Sequence, residues 1–118
     1  MKIRKIAELL NANLVCGEDM LDTDVHSACG CDMMSDVLAF VKDQAVLLTG
    51  LCNLQVVRTA EMMDMRCIVF VRGKKPTEDI IEMAKECNIA ILTTDMRMSL
   101  ACGLLYLNGL ASGITALQ

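Results

Sequence analysis

Small polar residues and cations occur at three places in the chain, each directly after a short apolar run. They are Thr49 and Gly50; Arg72, Gly73, Lys74 and Lys75; and Thr93, Thr94 and Asp95. Each group precedes a segment with helical periodicity, and helix N-termini present free backbone N–H groups that attract anions. Hydroxyls, glycines and cations in such positions suit an anionic or phosphorylated ligand. The competing interpretation is that they are ordinary strand-end turns and helix caps with solvated lysines, which every α/β protein needs.

Phosphoryl transfer through a P-loop is excluded by the sequence around Gly73. That motif needs Gly-x-x-x-x-Gly-Lys-Ser/Thr, in which the amides wrap the phosphate and the hydroxyl holds magnesium. Aligning it on Gly73 and Lys74 places Ile68 at the first glycine and Lys75 at the hydroxyl. No acidic pair elsewhere has the arrangement of a general acid and base. The sequence predicts no catalytic residue and no cofactor.

The seven cysteines suggest a second kind of chemistry, a metal or redox site. Cys29 and Cys31 lie on one face of a predicted strand, and Cys16 on a strand that would neighbour it, so soft thiolates would be available for zinc, copper or an iron–sulfur cluster. Cys52 precedes a predicted helix, and thiol pKa values fall at helix N-termini. The alternative is that the cysteines are reduced and structural, which the absence of any C-x-x-C pair favours.

The elements that would position these groups follow from the hydrophobic pattern. Apolar runs at 45–48, 67–71 and 89–92 predict strands, and each is followed by a helical period, at 53–63, 76–87 and 96–108. Before them the pattern predicts a helix at 3–10, strands at 13–16 and 25–31, and a helix at 34–42 capped by Asp32 or Ser35. This is an α/β fold with a small parallel-core sheet built from successive β–α units, an N-terminal helix and strand added, and helices packed on the sheet. The sequence predicts a single domain at 1–110 and a C-terminal tail at 111–118.

The last predicted helix, residues 96–108, is apolar on most of its sides. Asp95 is its predicted cap, and Asn108 with Gly109 its stop signal. A helix that is apolar all round is buried on more than one side, and a domain this small has little core to bury it twice. The second side therefore predicts contact with another subunit, as a homodimer.

Charge and hydrophobic run length exclude two classes of partner. The net charge of −4 argues against nonspecific nucleic-acid binding, which needs a basic face. No uninterrupted apolar run approaches the length of a membrane span, and no stretch near the N-terminus has a signal-peptide core. The sequence thus predicts a cytoplasmic protein that contacts neither nucleic acid nor membrane.

The stretch from 46 to 110 resembles the DRTGG domain family. The family pattern has a strand ending in Thr-Gly, an Asp-Arg region and a helix, then a strand ending Thr-Gly-Gly before a proline-started helix, then a strand leading to a Thr/Asp-rich helix start. Thr49 and Gly50 fit the first strand end, Gly73 and Pro76 fit the second, and Thr93, Thr94 and Asp95 fit the third. Leu51 and Cys52 replace the Asp-Arg pair, and Val71 and Arg72 replace the residues before Gly73.

The resemblance implies a module that regulates or dimerises without chemistry of its own. Such domains occur in some HPr kinase/phosphorylase relatives, in long phosphotransacetylases and beside CBS domains in some pyrophosphatases. A stand-alone copy is expected to bind a partner protein or a small effector. The leading hypothesis is therefore a noncatalytic, homodimeric regulatory or interaction module, with the anionic effector at the three turns. The alternative is a thiol-dependent metal or redox protein that uses Cys16, Cys29, Cys31 and Cys52.

Overall fold

Helices and strands alternate along most of the chain in the computed structural model, which describes residues 1–40 and 44–110. The elements are α1 (Ile3–Leu9), β1 (Asn13–Cys16), a 3₁₀ turn (Glu18–Met20), β2 (Ser27–Gly30), α2 (Met34–Phe40), β3 (Ala45–Thr49), α3 (Leu54–Met62), β4 (Cys67–Phe70), α4 (Glu78–Glu86), β5 (Ala90–Thr93) and α5 (Met98–Leu107). Every predicted helix and strand is present, and the ends that can be compared differ by at most two residues. The predicted tail at 111–118 and the end of the predicted helix 34–42 lie outside the described residues. In the described part of the chain, no helix has the length and apolar character needed to cross a membrane.

The five strands form one sheet in the order β1-β5-β4-β3-β2. Strands β2 to β5 are parallel to one another, and β1 is antiparallel to β5, with Asn13 opposite Thr93. The predicted α/β class and parallel core are confirmed. The N-terminal strand joins the far edge of the sheet, next to the last strand.

The strand order explains how the helices are distributed. Three successive crossovers that move in one direction with one hand place their helices on the same face of the sheet. That face carries α2, α3 and α4, which pack on inward side chains of every second strand position: Leu47, Ile68, Phe70 and Ile91. The other face carries α1 and α5, which pack on the alternate positions: Val46, Leu48, Val69 and Leu92. Both faces are covered, so the three inner strands β3, β4 and β5 are buried along their length and apolar except for the threonines that end β3 and β5.

The helices that follow the neighbouring parallel strands β4 and β5 lie on opposite faces of the sheet. Strand β4 leads into α4 on one face of the sheet, and β5 leads into α5 on the other. Two loops that leave neighbouring strand ends toward opposite faces open a crevice between them, which is where ligands bind in open α/β sheets. The fold therefore singles out the loops after Phe70 and after Thr93.

The last two helices start later than their sequence pattern predicts. Helix α5 starts at Met98 with the extended Arg97 at its N-cap, so the prediction of Asp95 as its cap was wrong. The cause is Thr94, whose side-chain oxygen accepts a hydrogen bond from the N–H of Met96 and holds residues 94–96 in a turn. Helix α4 likewise starts at Glu78, after Thr77.

Candidate functional site

The three polar turns lie side by side at the carboxyl ends of the parallel strands, here called the strand-end edge. Backbone hydrogen bonds connect them. The Val71 N–H donates to the Thr49 carbonyl oxygen at 3.0 Å, and the Gly73 N–H donates to the Thr94 carbonyl oxygen at 3.0 Å. A third bond, from the Arg72 N–H to the Met96 oxygen at 2.8 Å, closes the loop after β4 onto the loop after β5. The turns therefore form one continuous surface, and Arg72 is at its centre.

Asp32, which follows the edge strand β2, brings a carboxylate into this surface. Its Oδ1 accepts hydrogen bonds from the Thr49 hydroxyl at 2.9 Å and from the Gly50 N–H at 2.8 Å. Its Oδ2 lies 3.5 Å from the Arg72 guanidinium. The Gly50 N–H, the Thr49 hydroxyl and the Arg72 charge all stabilise the ionised form, so the pKa of Asp32 is lowered despite some desolvation.

Asp32 was predicted only as a helix cap and was not among the predicted site residues. The signal that identifies it is the same as for the other turns, since Asp32 is the first charged residue after a strand parallel to β3. Parallel strands bring their carboxyl ends to one edge, so a polar residue after any of the four belongs to the same surface.

Arg72 adopts an uncommon backbone conformation in which its side chain lies over Gly50. Its φ is +59°, in the left-handed region that disfavours residues with a Cβ atom. The guanidinium occupies the space that a Cβ atom at position 50 would need. Glycine at 50 and arginine at 72 are thus packed against each other, and the Asp32 ion pair holds the guanidinium there.

The crevice between the β4 and β5 loops is small and polar. It has a volume of about 30 Å³ and is lined by Asn11, Asn13, Gly73, Lys74, Lys75, Thr93, Thr94 and Asp95. This is room for a water or two but not for a nucleotide. Lys74 and Lys75 are exposed at its rim. A larger ligand would therefore lie across the rim of the crevice.

Thr94 differs from the other predicted site residues because its hydroxyl already has two partners. It donates to the Leu10 carbonyl at 2.8 Å and accepts from the Met96 N–H at 3.2 Å. Its side chain is 4% exposed. Thr94 joins α1 to the start of the α5 turn and has no hydroxyl hydrogen left for a ligand.

A larger cavity of about 280 Å³ lies at the opposite end of the strands, near the start of β5. It is lined in part by Glu18, Asp19 and Lys85. Two carboxylates against one ammonium make it a poor site for an anion. Charge, more than size, separates this cavity from the edge that carries Arg72, Lys74 and Lys75.

The strand order separates the cysteines that were predicted to form a metal site. Cys16 is on β1 and Cys29 on β2, which are the two outer strands of the sheet. Four strand spacings of about 4.8 Å lie between them. The placement of Cys16 beside Cys29 and Cys31 was therefore wrong, while Cys29 and Cys31 do share the α2 face of the sheet. Within residues 1–40 and 44–110, no group of three or more His, Cys, Asp or Glu side chains has a geometry suited to a metal ion.

Burial makes the thiols less acidic. It raises the pKa of Cys52 and outweighs the nearby Lys74 ammonium, so the prediction of a lowered pKa at this helix start was wrong. Burial raises the pKa of Cys29 to about 11. A hydrogen bond to Glu61 raises the pKa of Cys87 to about 11. Burial also raises the pKa values of Cys16, Cys67 and Cys102. These six thiols are protonated at neutral pH, whereas the nucleophile and metal ligand is the thiolate.

Comparison with known proteins identifies a family and a fold. The sequence model of the DRTGG domain matches residues 5–98. A similar solved structure is that of the CBS and DRTGG domains of the regulatory region of Clostridium perfringens pyrophosphatase, complexed with its activator diadenosine tetraphosphate. The TM-score is 0.72 at 19% identity, and the match covers 88% of this chain and 45% of that one. No curated protein matches the chain.

Proposed function

This chain belongs to the DRTGG domain family, and from that premise we propose that it is a noncatalytic regulatory module whose effector is an anionic small molecule. The observation that carries the proposal is the edge at which the Thr49, Arg72 and Thr93 turns meet. Three cations, Arg72, Lys74 and Lys75, are exposed there beside the crevice between the loops that follow β4 and β5. This is the position at which open α/β sheets bind ligands.

The chemistry of the edge suits a phosphorylated ligand. Arginine binds phosphate through a planar fork of N–H donors, and lysine acts as a point charge. Lys74 and Lys75 at the rim would contact phosphates that lie across the crevice. The similar region of the Clostridium perfringens pyrophosphatase is complexed with diadenosine tetraphosphate, a polyphosphate. That activator supports the ligand class proposed for this chain.

The absence of catalysis is part of the proposal. The first glycine and the hydroxyl of a P-loop are missing in the alignment on Gly73. The carboxylate beside Arg72, that of Asp32, is hydrogen-bonded as an acceptor, and its lowered pKa keeps it ionised. An effector bound at this edge would change the protein's conformation or contacts. The effector itself would then dissociate without chemical change.

Calorimetric titration with diadenosine tetraphosphate tests the effector site. The variant K74Q/K75Q should bind at least about tenfold more weakly than wild type, because each lost phosphate contact removes a charge-assisted hydrogen bond. The matched control is K2Q/K5Q, which removes the same charge from exposed residues at α1. Equal weakening in both variants would reduce the effect to net charge and would contradict a site at the strand ends.

We also propose that the module is a homodimer through α5. Of the ten residues in this helix, Ala101 and Leu105 are buried against the sheet, whereas Leu100 is 53% and Leu107 83% exposed. Tyr106 beside them is 68% exposed. Leu100 and Leu107 are seven residues apart and therefore share one face of the helix. Exposed apolar side chains in this arrangement support an interface, and a two-fold pair is the commonest arrangement.

A further inference from the structure

The Asp32 carboxylate is held as a bound anion would be held. Three donors from two strand ends converge on it: the Thr49 hydroxyl, the Gly50 N–H and the Arg72 guanidinium. The Thr49 hydroxyl also accepts a hydrogen bond from the Leu51 N–H at 3.1 Å, which leaves its own hydrogen directed at Asp32. A hydroxyl and a backbone amide that bond one carboxylate oxygen, with a guanidinium 3.5 Å from the other, are the donor set of an oxyanion site.

We infer that Thr49, Gly50 and Arg72 form an oxyanion site that Asp32 occupies in the free protein, and that a phosphate group binds there by displacing the Asp32 carboxylate. For its ligand class the inference rests on the proposed function. It adds a subsite and a competition: the effector's phosphate and the protein's own carboxylate exclude each other.

The burial of the partners makes the exchange feasible. Thr49 is fully buried and Gly50 is buried, so their donors need an acceptor at all times. The side chains of Asp32 and Arg72 are 44% and 43% exposed. An ion pair this open to water is weak, and a displaced Asp32 carboxylate would be solvated at once. The Thr49 and Gly50 donors therefore always need an acceptor, but that acceptor can be either the Asp32 carboxylate or a bound anion.

Arg72 couples this site to the proposed effector surface. Its backbone N–H is bonded to the Met96 carbonyl of the β5 loop, while its side chain reaches across Gly50 to Asp32. A phosphate that replaces Asp32 would be held by the same guanidinium over Gly50, on the surface that continues to the Lys74–Lys75 rim. The negative charge of Asp32 thus lowers the affinity of the edge for anions until it is displaced.

Removing the Asp32 carboxylate tests the inference, with inorganic phosphate as the probe and calorimetry as the readout. D32A should bind phosphate about tenfold more tightly than wild type, the gain expected from one charge-assisted hydrogen bond. The control D36A removes the same charge from an exposed residue of α2 and should leave phosphate affinity at the wild-type value. Adding R72Q to D32A should abolish the gain.

A second variant, D32N, and a second probe, acetate, complete the test. If D32A does not fold, D32N retains an oxygen acceptor for Thr49 and Gly50 and should give a smaller gain in the same direction. Acetate in place of phosphate should also bind D32A more tightly than wild type if the site takes oxyanions in general. A gain for phosphate alone would assign it to phosphates.

The outcomes separate this inference from the proposed function. Equal phosphate affinity of D32A, D36A and wild type would overturn the inference, even if diadenosine tetraphosphate still binds through Lys74 and Lys75. A gain in D32A that requires Arg72 would support the oxyanion site, even if the wild-type protein binds no polyphosphate.

Discussion

At the scale of single residues, the strand-end edge divides into groups that are free and groups that are already bonded. The Lys74 and Lys75 ammoniums are exposed, whereas Asp32 accepts hydrogen bonds from Thr49 and Gly50. Thr94 donates to Leu10. A polar residue at a strand end is therefore a ligand candidate only after its own hydrogen bonds have been assigned.

Thr94 gives a direct test of that division. T94V should lower the free energy of unfolding by about 1–3 kcal/mol, because the Leu10 carbonyl and the Met96 N–H lose their buried partner. T94S keeps the hydroxyl and should retain most of the stability. Urea unfolding of both variants measures the difference. A weaker anion affinity in T94V without loss of stability would instead make Thr94 a ligand contact.

At the scale of elements, four helices end in the same backbone conformation, but only one of them has the glycine that would indicate it in the sequence. Helices α1, α3, α4 and α5 are each followed by a residue with positive φ two positions after the last helical residue: Asn11, Asp64, Asn88 and Gly109. In α4 the Asn88 N–H donates to the Lys85 carbonyl and the Ile89 N–H to the Ala84 carbonyl, which is the Schellman arrangement. Glycine fills this position only after α5.

The exposed Asn88 is therefore a place where stability can be increased. N88G should raise the free energy of unfolding by up to about 1 kcal/mol, since glycine adopts the left-handed conformation without steric cost. N88A at the same φ of +56° should lower it by about 1 kcal/mol. Thermal unfolding of the pair gives the sign of each change. Stabilisation by N88A would contradict the assigned conformation.

The sequence predicted the elements better than it predicted their order. Apolar runs ending in Gly or Thr locate the strands, and a parallel core follows from the intervening helices. The position of β1 depends on pairing between residues as far apart as Asn13 and Thr93, which no local pattern encodes. This is why Cys16 was placed beside Cys29, although the two strands are at opposite edges of the sheet.

The candidate site was predictable to the same extent. The three turns were identified because each follows a strand, and parallel strands share an edge. The contact between Asp32 and Arg72 was not, because it joins the ends of β2 and β4 across β3 and requires Arg72 to adopt a left-handed backbone. Arginine has no preference for that conformation that a sequence reading could use.

At the scale of the whole molecule, the exposed face of α5 predicts a dimer. L100S/L107S should dissociate it, because each leucine that becomes fully buried contributes roughly 1.5–3 kcal/mol. The control is M62S, which removes a 68% exposed apolar side chain from α3 on the other face of the sheet. Light scattering should give wild type and M62S twice the 12.9 kDa of the chain, and the double variant that mass itself. Wild type at 12.9 kDa would rule out the dimer.

The most direct test of the central claim is to locate a bound anion by chemical-shift mapping of the ¹⁵N-labelled protein with diadenosine tetraphosphate. The largest shifts should occur at the backbone N–H groups of Gly50, Gly73, Lys74 and Lys75, because the carboxyl ends of β3 and β4 meet at this edge. The resonances of the Glu18 and Asp19 N–H groups, at the opposite end of the strands, should not shift. Shifts confined to that opposite end, with the four predicted groups unchanged, would contradict an effector site at the carboxyl ends of the strands.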